Sequence, residues 1–119
     1  YEVDREAMRR LLAIAPGARA MAKEHRDWLV RAVRFLAGKR GIDQFLDLGS
    51  GMPTAENTHE VAQRYNPDAQ VVYVDNDPVV QVHGRALLEE NYLTHVTGAD
   101  LTRPADTYDL YGQLLTAAP

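Results

Sequence analysis

Cysteine is absent from the chain altogether. Its absence excludes a disulfide scaffold, thiolate-held zinc or iron–sulfur centres, and a cysteine nucleophile. It also accords with a reducing compartment, so a cytoplasmic setting is expected. Long apolar runs are missing too: nothing approaches the roughly 18 residues of a membrane span. The first ten residues, "YEVDREAMRR", are charged where a signal peptide needs an apolar stretch, and no membrane partner is expected. Basic residues are outnumbered, with 13 Lys plus Arg against 17 Asp plus Glu and a net charge of -4, a poor start for binding a phosphate backbone. Nucleic acid is therefore not the expected partner. Internal repeats, low-complexity tracts and interdomain linkers are likewise lacking. What remains is 119 residues, 45% of them hydrophobic, enough for one ordinary domain with a core that needs no covalent staples.

Apolar spacing predicts a helix over residues 4–14, with Asp4 as its cap, and Pro16 and Gly17 break it. A second helix is expected over residues 18–37, with Trp28, Leu29, Val33 and Leu36 on one side, until Gly38 and Gly41 stop it. Trp28, Phe35 and Leu36 read as packing residues. The segment "QFLDL" (44–48) is too short for a helix and reads as a buried strand. A glycine turn follows, then a helix capped by Thr54 with Glu56 in its first turn, ending near Tyr65. "VVYVD" (71–75) is β-branched, as a parallel strand covered on both faces should be. Asp77 as cap and Pro78 at the first helical position open a helix running to about Asn91. A weaker strand is expected over residues 94–99, and Tyr108, Tyr111, Leu114 and Leu115 are spaced for a last helix.

Strand, helix, strand, helix, strand is the order of an α/β fold: the amino-terminal half of a Rossmann-like, doubly wound parallel sheet, three strands in the order 3-2-1, preceded by two helices. Residues 1–40 are expected to form a helical cap and residues 41–119 a ligand-binding half-domain, the two making one compact unit. Strand 1 would have an unpaired side, which implies a partner chain, a swapped dimer or other homo-oligomer, or a missing carboxyl-terminal half.

Ligands of open parallel sheets bind beyond the carboxyl ends of the strands. All three ends are polar: "DLGSG" (47–51), "DND" (75–77) and "GADL" (98–101). Gly49 and Gly51 permit positive backbone angles and close approach of a ligand to the main chain. The third glycine of the dinucleotide fingerprint is replaced by Thr54, which argues against a pyrophosphate pressed on the helix start. Asp75, 24 residues after Gly51, stands where a carboxylate accepts bonds from ribose hydroxyls. Asp100 is placed to accept from an adenine amino group beside the Leu101 backbone. Asp77 reads as a helix cap. A metal reading of "DND" lacks further oxygen ligands, and no metal is assigned. No Lys or Arg follows the glycine turn and no G-K-[ST] is present, so phosphate is not required. Asp47, Asp75 and Asp100 around one cleft suit a ligand with a ribose, an amino group and a cationic centre, which describes S-adenosylmethionine better than a dinucleotide.

"FLDLGSG", "VVYVDNDP" and "GADL" resemble the first three motifs of class I S-adenosylmethionine-dependent methyltransferases. More narrowly, "QFLDLGSGMPTAENTHEVAQ" followed by "VVYVDNDPVV", with "RAVRFLA" upstream, resembles a bacterial family of candidate small-molecule methyltransferases with two amino-terminal helices. The resemblance implies that Gly49, Ser50 and Gly51 wrap the methionine moiety and that Asp47 orients its amino group. It implies that Asp75 holds the ribose, Asn76 lies beside the adenine, and Asp100 with Leu101 reads the adenine edge. Thr54 and Asn57 match the family's "PT" and following Asn, at the carboxylate end. Methyl transfer needs alignment and desolvation more than a protein nucleophile, so no catalytic residue is assigned. His25, His59, His83 and His95 read as surface or partly buried structural histidines. Arg26, Arg31 and Arg34 read as a solvated helix face. A noncatalytic nucleoside-binding module and a nicotinamide or nucleotide-sugar enzyme of the Rossmann type are the competing readings.

Overall fold

A computed structural model describes residues 2–51, 53, 56–88, 91–105 and 112. The chain divides into two compact units, Tyr1–Ala32 and Val33–Pro119. The first unit holds α1 (Glu2–Ile14) and most of α2 (Ala18–Arg34). The first helix begins two residues before the expected cap, so Asp4 sits in its first turn beside Glu2, where acidic groups favour the helix dipole. Glu6 pairs with Arg10 at 3.2 Å and Lys23 with Asp27 at 3.0 Å along these helices. Each of these exposed pairs adds a few tenths of a kcal/mol, on the order of 0.3–0.5.

The second unit begins at the end of α2, which passes into one π-helical turn, Phe35–Lys39, before Arg40 closes it. Gly38 therefore lies inside the helical segment rather than ending it; the positive φ of 66° falls at Gly41. Only Val33 and Ala37, four residues apart on one stripe, are buried here. Phe35 and Leu36 are 50% and 38% exposed, and in the first unit Trp28 is 57% exposed, so the packing role expected for these three is not the one the structure gives them.

Three parallel strands follow, β1 (Gln44–Leu48), β2 (Gln70–Val74) and β3 (Thr94–Thr97), in the order β1-β2-β3. This is the expected 3-2-1 arrangement. β2 starts and ends one residue earlier than the sequence pattern suggested, and β3 is two residues shorter, because Asp75 and residues 98–99 already belong to the loops beyond the strand ends. β2 is flanked on both sides and every one of its residues is buried. Val71, Val72 and Val74 are wholly inaccessible, each contributing on the order of 1.5–3 kcal/mol of burial. β1 was expected to be buried, yet alternate residues are exposed, Leu46 at 39% and Leu48 at 52%. Leu46 and Leu48 share the face opposite Asp47 and α3, and β1 pairs only with β2 among the described residues, so at this edge that face has no described cover.

Helices α3 (Thr58–Tyr65) and α4 (Pro78–Leu87) connect the strands. Both crossovers step the same way across the sheet, which puts both helices on one face. The contacts agree with this. His59 of α3 bonds Tyr73, a Cβ at Gly84 of α4 would meet Val96 at 3.1 Å, and Tyr73 and Val96 are register partners that share a face. Val72 and Val74 point the other way and pack with Ala99.

The start of α3 differs from expectation. Its cap is Asn57, in extended conformation, with Glu60 in the first turn; Glu56 lies in the bend before the helix, and Thr54 falls outside the described residues. Glu60 Oε1 accepts from the Asn57 backbone N–H at 3.1 Å and from its side-chain amide at 2.6 Å. This capping box outcompetes an earlier start because it satisfies donors that would otherwise be left without partners. α4 begins as expected, the Asp77 carboxylate accepting from Val79 N–H at 2.9 Å with Pro78 following. It ends at Leu87, earlier than Asn91; the helix expected around Tyr108–Leu115 lies outside the described residues apart from Gly112.

Candidate functional site

The ends of β1 and β2 are tied together by the glycine turn. After Leu48 the chain turns at Gly49 with φ 70° and again at Gly51 with φ 68°, a region that residues with a Cβ enter at a cost. Gly49 N–H and Ser50 N–H both donate to the Val74 carbonyl, at 2.8 and 3.1 Å. Asp75 then clamps the arrangement from the other side. Its Oδ2 accepts from Gly51 N–H and its Oδ1 from Asp77 N–H, each at 3.0 Å. A carboxylate offers about four lone-pair positions, so two backbone bonds fix its plane and leave acceptor capacity for ligand hydroxyls.

The third strand end approaches the same turn. A Cβ at Gly49 would meet the Leu101 side chain at 3.7 Å, so "GADL" does come beside "DLGSG". Asp100 is held in its own turn, accepting from the Thr102 hydroxyl at 2.7 Å and the Thr102 N–H at 2.9 Å. These two bonds, the hydroxyl first, hold the exposed Asp100 carboxyl below its ordinary value, with Arg103 adding to the effect. The sign follows: the bonds are present in full above the ordinary carboxylate pKa and are lost as pH falls through the lowered one. The Asp100 carboxyl carbon, followed by NMR, is expected to titrate below an ordinary aspartate, and Thr102→Val to move that titration upward; an unshifted Asp100 in the unaltered chain would contradict the bonding.

Asp47, at the end of β1, accepts from the Thr58 hydroxyl at 2.9 Å. Asn57 precedes it at the mouth of α3 as the helix cap. Asn76 is exposed between Asp75 and Asp77. The structure thus connects Gly49, Ser50, Gly51 and Asp75 directly, brings Leu101 against Gly49, and carries Asp47 on the strand that leads into the turn. Asp75 and Asp77 both spend oxygens on backbone N–H groups, and among the described residues no group of three or more His, Asp or Glu gathers to hold a metal ion.

Three contributors were not singled out from the sequence. Gln81 donates its amide to the Asp75 carbonyl at 3.0 Å, bracing the end of β2 from the first turns of α4. A Cβ at Gly98 would come within 2.5 Å of that amide, so Gly98 leaves the space Gln81 occupies. Gly98→Ala is expected to push the amide aside and cost about 0.5–1.5 kcal/mol, read as a shift in the denaturant midpoint. Equal loss in a Gly98→Ala, Gln81→Ala double variant and in Gly98→Ala alone would show that the amide is the group displaced. Thr58 and Tyr73 are the other two. His59, read as surface or partly buried, is in fact 1% exposed, with Nδ1 2.9 Å from the Tyr73 hydroxyl. Helical spacing alone could not reveal this, since the partner is on β2.

A match to the family model described as S-adenosyl methyltransferase extends over residues 1–114. The chain belongs to this family. Two solved structures are similar over 92% of its length. One is a candidate methyltransferase from Thermobifida fusca YX, 54% identical with a TM-score of 0.88; the other is a protein of the DUF574 family from Streptomyces avermitilis MA-4680, 41% identical with a TM-score of 0.84. The chain covers 41% and 42% of those two proteins, about two fifths of their length. No curated protein matches it.

S-adenosylmethionine is the cofactor that membership in the S-adenosyl methyltransferase family implies. The residues fit it. Among the described residues beyond its chain neighbours, an ideal Cβ at Gly51 meets no atom within 4 Å, so the turn opens onto space where a side chain would otherwise stand. Around the glycine turn and Asp75 the described donors and acceptors are carboxylates, a serine and backbone groups, with Arg103 standing off beside Asp100, a set suited to ribose hydroxyls and an ammonium rather than to phosphate.

Proposed function

We propose that the protein takes part in methyl transfer from S-adenosylmethionine to a small-molecule acceptor, through a site built from Asp47, Gly49, Ser50, Gly51, Asp75, Asn76, Asp100 and Leu101, with Thr54 and Asn57 toward the amino-acid end. The observation that carries this reading is the Asp75 carboxylate, oriented by Gly51 N–H and Asp77 N–H at the mouth of the glycine turn. It stands where a ribose is gripped in open parallel sheets.

The bound cofactor supplies an electrophilic methyl group on a sulfonium. The chain's own residues supply alignment: the glycine turn admits the main chain of the site to contact, Asp75 accepts from ribose hydroxyls, and Asp47 accepts from the amino group. Displacement at a methyl group gains most from such positioning, so no nucleophile of the protein is required. Asp100 and the Leu101 backbone complete the reading at the adenine edge.

Residues 41–119 form the cofactor-holding part of this proposal, and residues 1–40 a helical cap whose last turns, from Val33 on, belong to the same compact unit as the sheet. The unpaired side of β1 supports completion of the sheet by further polypeptide or by a second copy in a homodimer. The excess of acidic residues speaks against a nucleic-acid acceptor, and the lack of cysteine supports a cytoplasmic setting. No helix among the described residues is long and apolar enough to cross a membrane.

Calorimetric titration with S-adenosylmethionine, S-adenosylhomocysteine and NAD tests the cofactor. Binding of the first two and not the third is expected, and preference for NAD would overturn the proposal. A labelled-methyl screen over small-molecule acceptors tests the transfer itself; binding with no transfer to any acceptor would describe a noncatalytic module instead.

A further inference from the structure

Asp47 and Tyr73 are register partners on adjacent strands, so their side chains rise from the same face of the sheet, the face that α3 covers. The first two residues of α3 reach down to both. Thr58 donates its hydroxyl proton to Asp47 Oδ2 at 2.9 Å. His59 donates its backbone N–H to the Tyr73 oxygen at 2.6 Å, and its ring Nδ1 lies 2.9 Å from the same oxygen. Thr58, His59 and Tyr73 are all buried, at 7%, 1% and 3% exposure, while Asp47 is half-buried.

The protons in this cluster can be counted. A threonine hydroxyl has one, and that of Thr58 is committed to a carboxylate that only accepts. The Tyr73 oxygen accepts the His59 backbone N–H, which seats the first turn of α3 on β2 and so holds the Thr58 hydroxyl over Asp47. Burial pushes the Tyr73 phenol above its ordinary pKa, which keeps it protonated and able to donate.

We infer that Thr58, Tyr73 and His59 are positioning residues that fix the Asp47 carboxylate for the amino group of the cofactor's methionine portion. The inference rests on the cofactor site proposed above. It assigns a specific job to a buried polar cluster that packing alone does not call for: in a sheet whose central strand is otherwise almost wholly valine, an aliphatic residue at position 73 would carry no hydrogen-bonding obligation. The amino-acid end of the ligand is thereby selected separately from the nucleoside, which Asp75 holds from the neighbouring strand.

Paired titrations of the full chain with S-adenosylhomocysteine and with 5′-methylthioadenosine test this, since the second ligand keeps the nucleoside thioether and lacks the amino-acid portion. Thr58→Val is expected to weaken S-adenosylhomocysteine binding about five- to tenfold and Tyr73→Phe about threefold, both leaving 5′-methylthioadenosine within about twofold. Thr58→Ser, which keeps the hydroxyl, is expected to restore the loss. Equal weakening of both ligands would mean a merely structural cluster and overturn the inference, as would unchanged affinity for both. If the unaltered chain binds neither ligand, the cofactor site itself falls and the inference with it.

Discussion

Asp75→Ala is expected to weaken S-adenosylmethionine binding by about 1.5–3 kcal/mol, on the order of ten- to a hundredfold, as measured by calorimetric titration. The size follows from what the carboxylate does. It accepts the ligand's ribose hydroxyls in the proposed site, and it holds Gly51 N–H and Asp77 N–H at 3.0 Å, so its removal loosens both the grip and the turn that shapes the cleft. Asp75→Asn keeps one acceptor oxygen and the shape of the side chain, and its loss should fall between those of the unaltered chain and the alanine variant. Unchanged affinity in Asp75→Ala would remove this residue from the site.

Gly51→Val should have the larger effect, abolishing measurable binding. Two causes act together. A φ of 68° costs a residue with a Cβ about 1–2 kcal/mol, more when the side chain is branched, so the turn will shift and pull Gly51 N–H from Asp75. The valine methyls would also stand in the open space that the ligand is proposed to enter. Because a Cβ there meets no atom of the described residues beyond its chain neighbours, the variant should still fold, with a stability loss mainly in the backbone term. Thermal unfolding and ligand titration of the same variant separate the two contributions. A valine variant that binds normally would reduce the glycines to a simple turn.

Much of this arrangement was legible in the sequence. "VVYVD" announced a central strand because β-branched residues in an unbroken run have no polar face to offer solvent, and every β2 side chain is indeed buried. Asp77 followed by Pro78 announced the start of α4, since capping and a preset φ are local properties. The glycine turn was readable for the same reason. What escaped was long-range. The cap of α3 went to Asn57 because Glu60 completes a reciprocal pair with it, a pattern weaker to the eye than the "PT" preceding it. The Thr58–Tyr73–His59 cluster joins residues 14 and 15 positions apart through a crossover, and Leu46 and Leu48 looked like core until the strand order put β1 at an edge among the described residues, with their face uncovered there. Periodicity describes a residue's own element; it is silent about which element arrives opposite.

The two strands that carry the glycine turn and its clamp are unequal in rigidity. Asp75 extends from β2, whose amides are laddered on both sides and shielded from water, so its mounting should open only with global unfolding. Gly49 and Gly51 extend from β1, laddered on one side alone among the described residues, and should exchange their amide hydrogens far sooner. A ligand spanning the two would couple a compliant jaw to a fixed one, and slower deuterium uptake in β1 than in its unliganded form would be the trace it leaves.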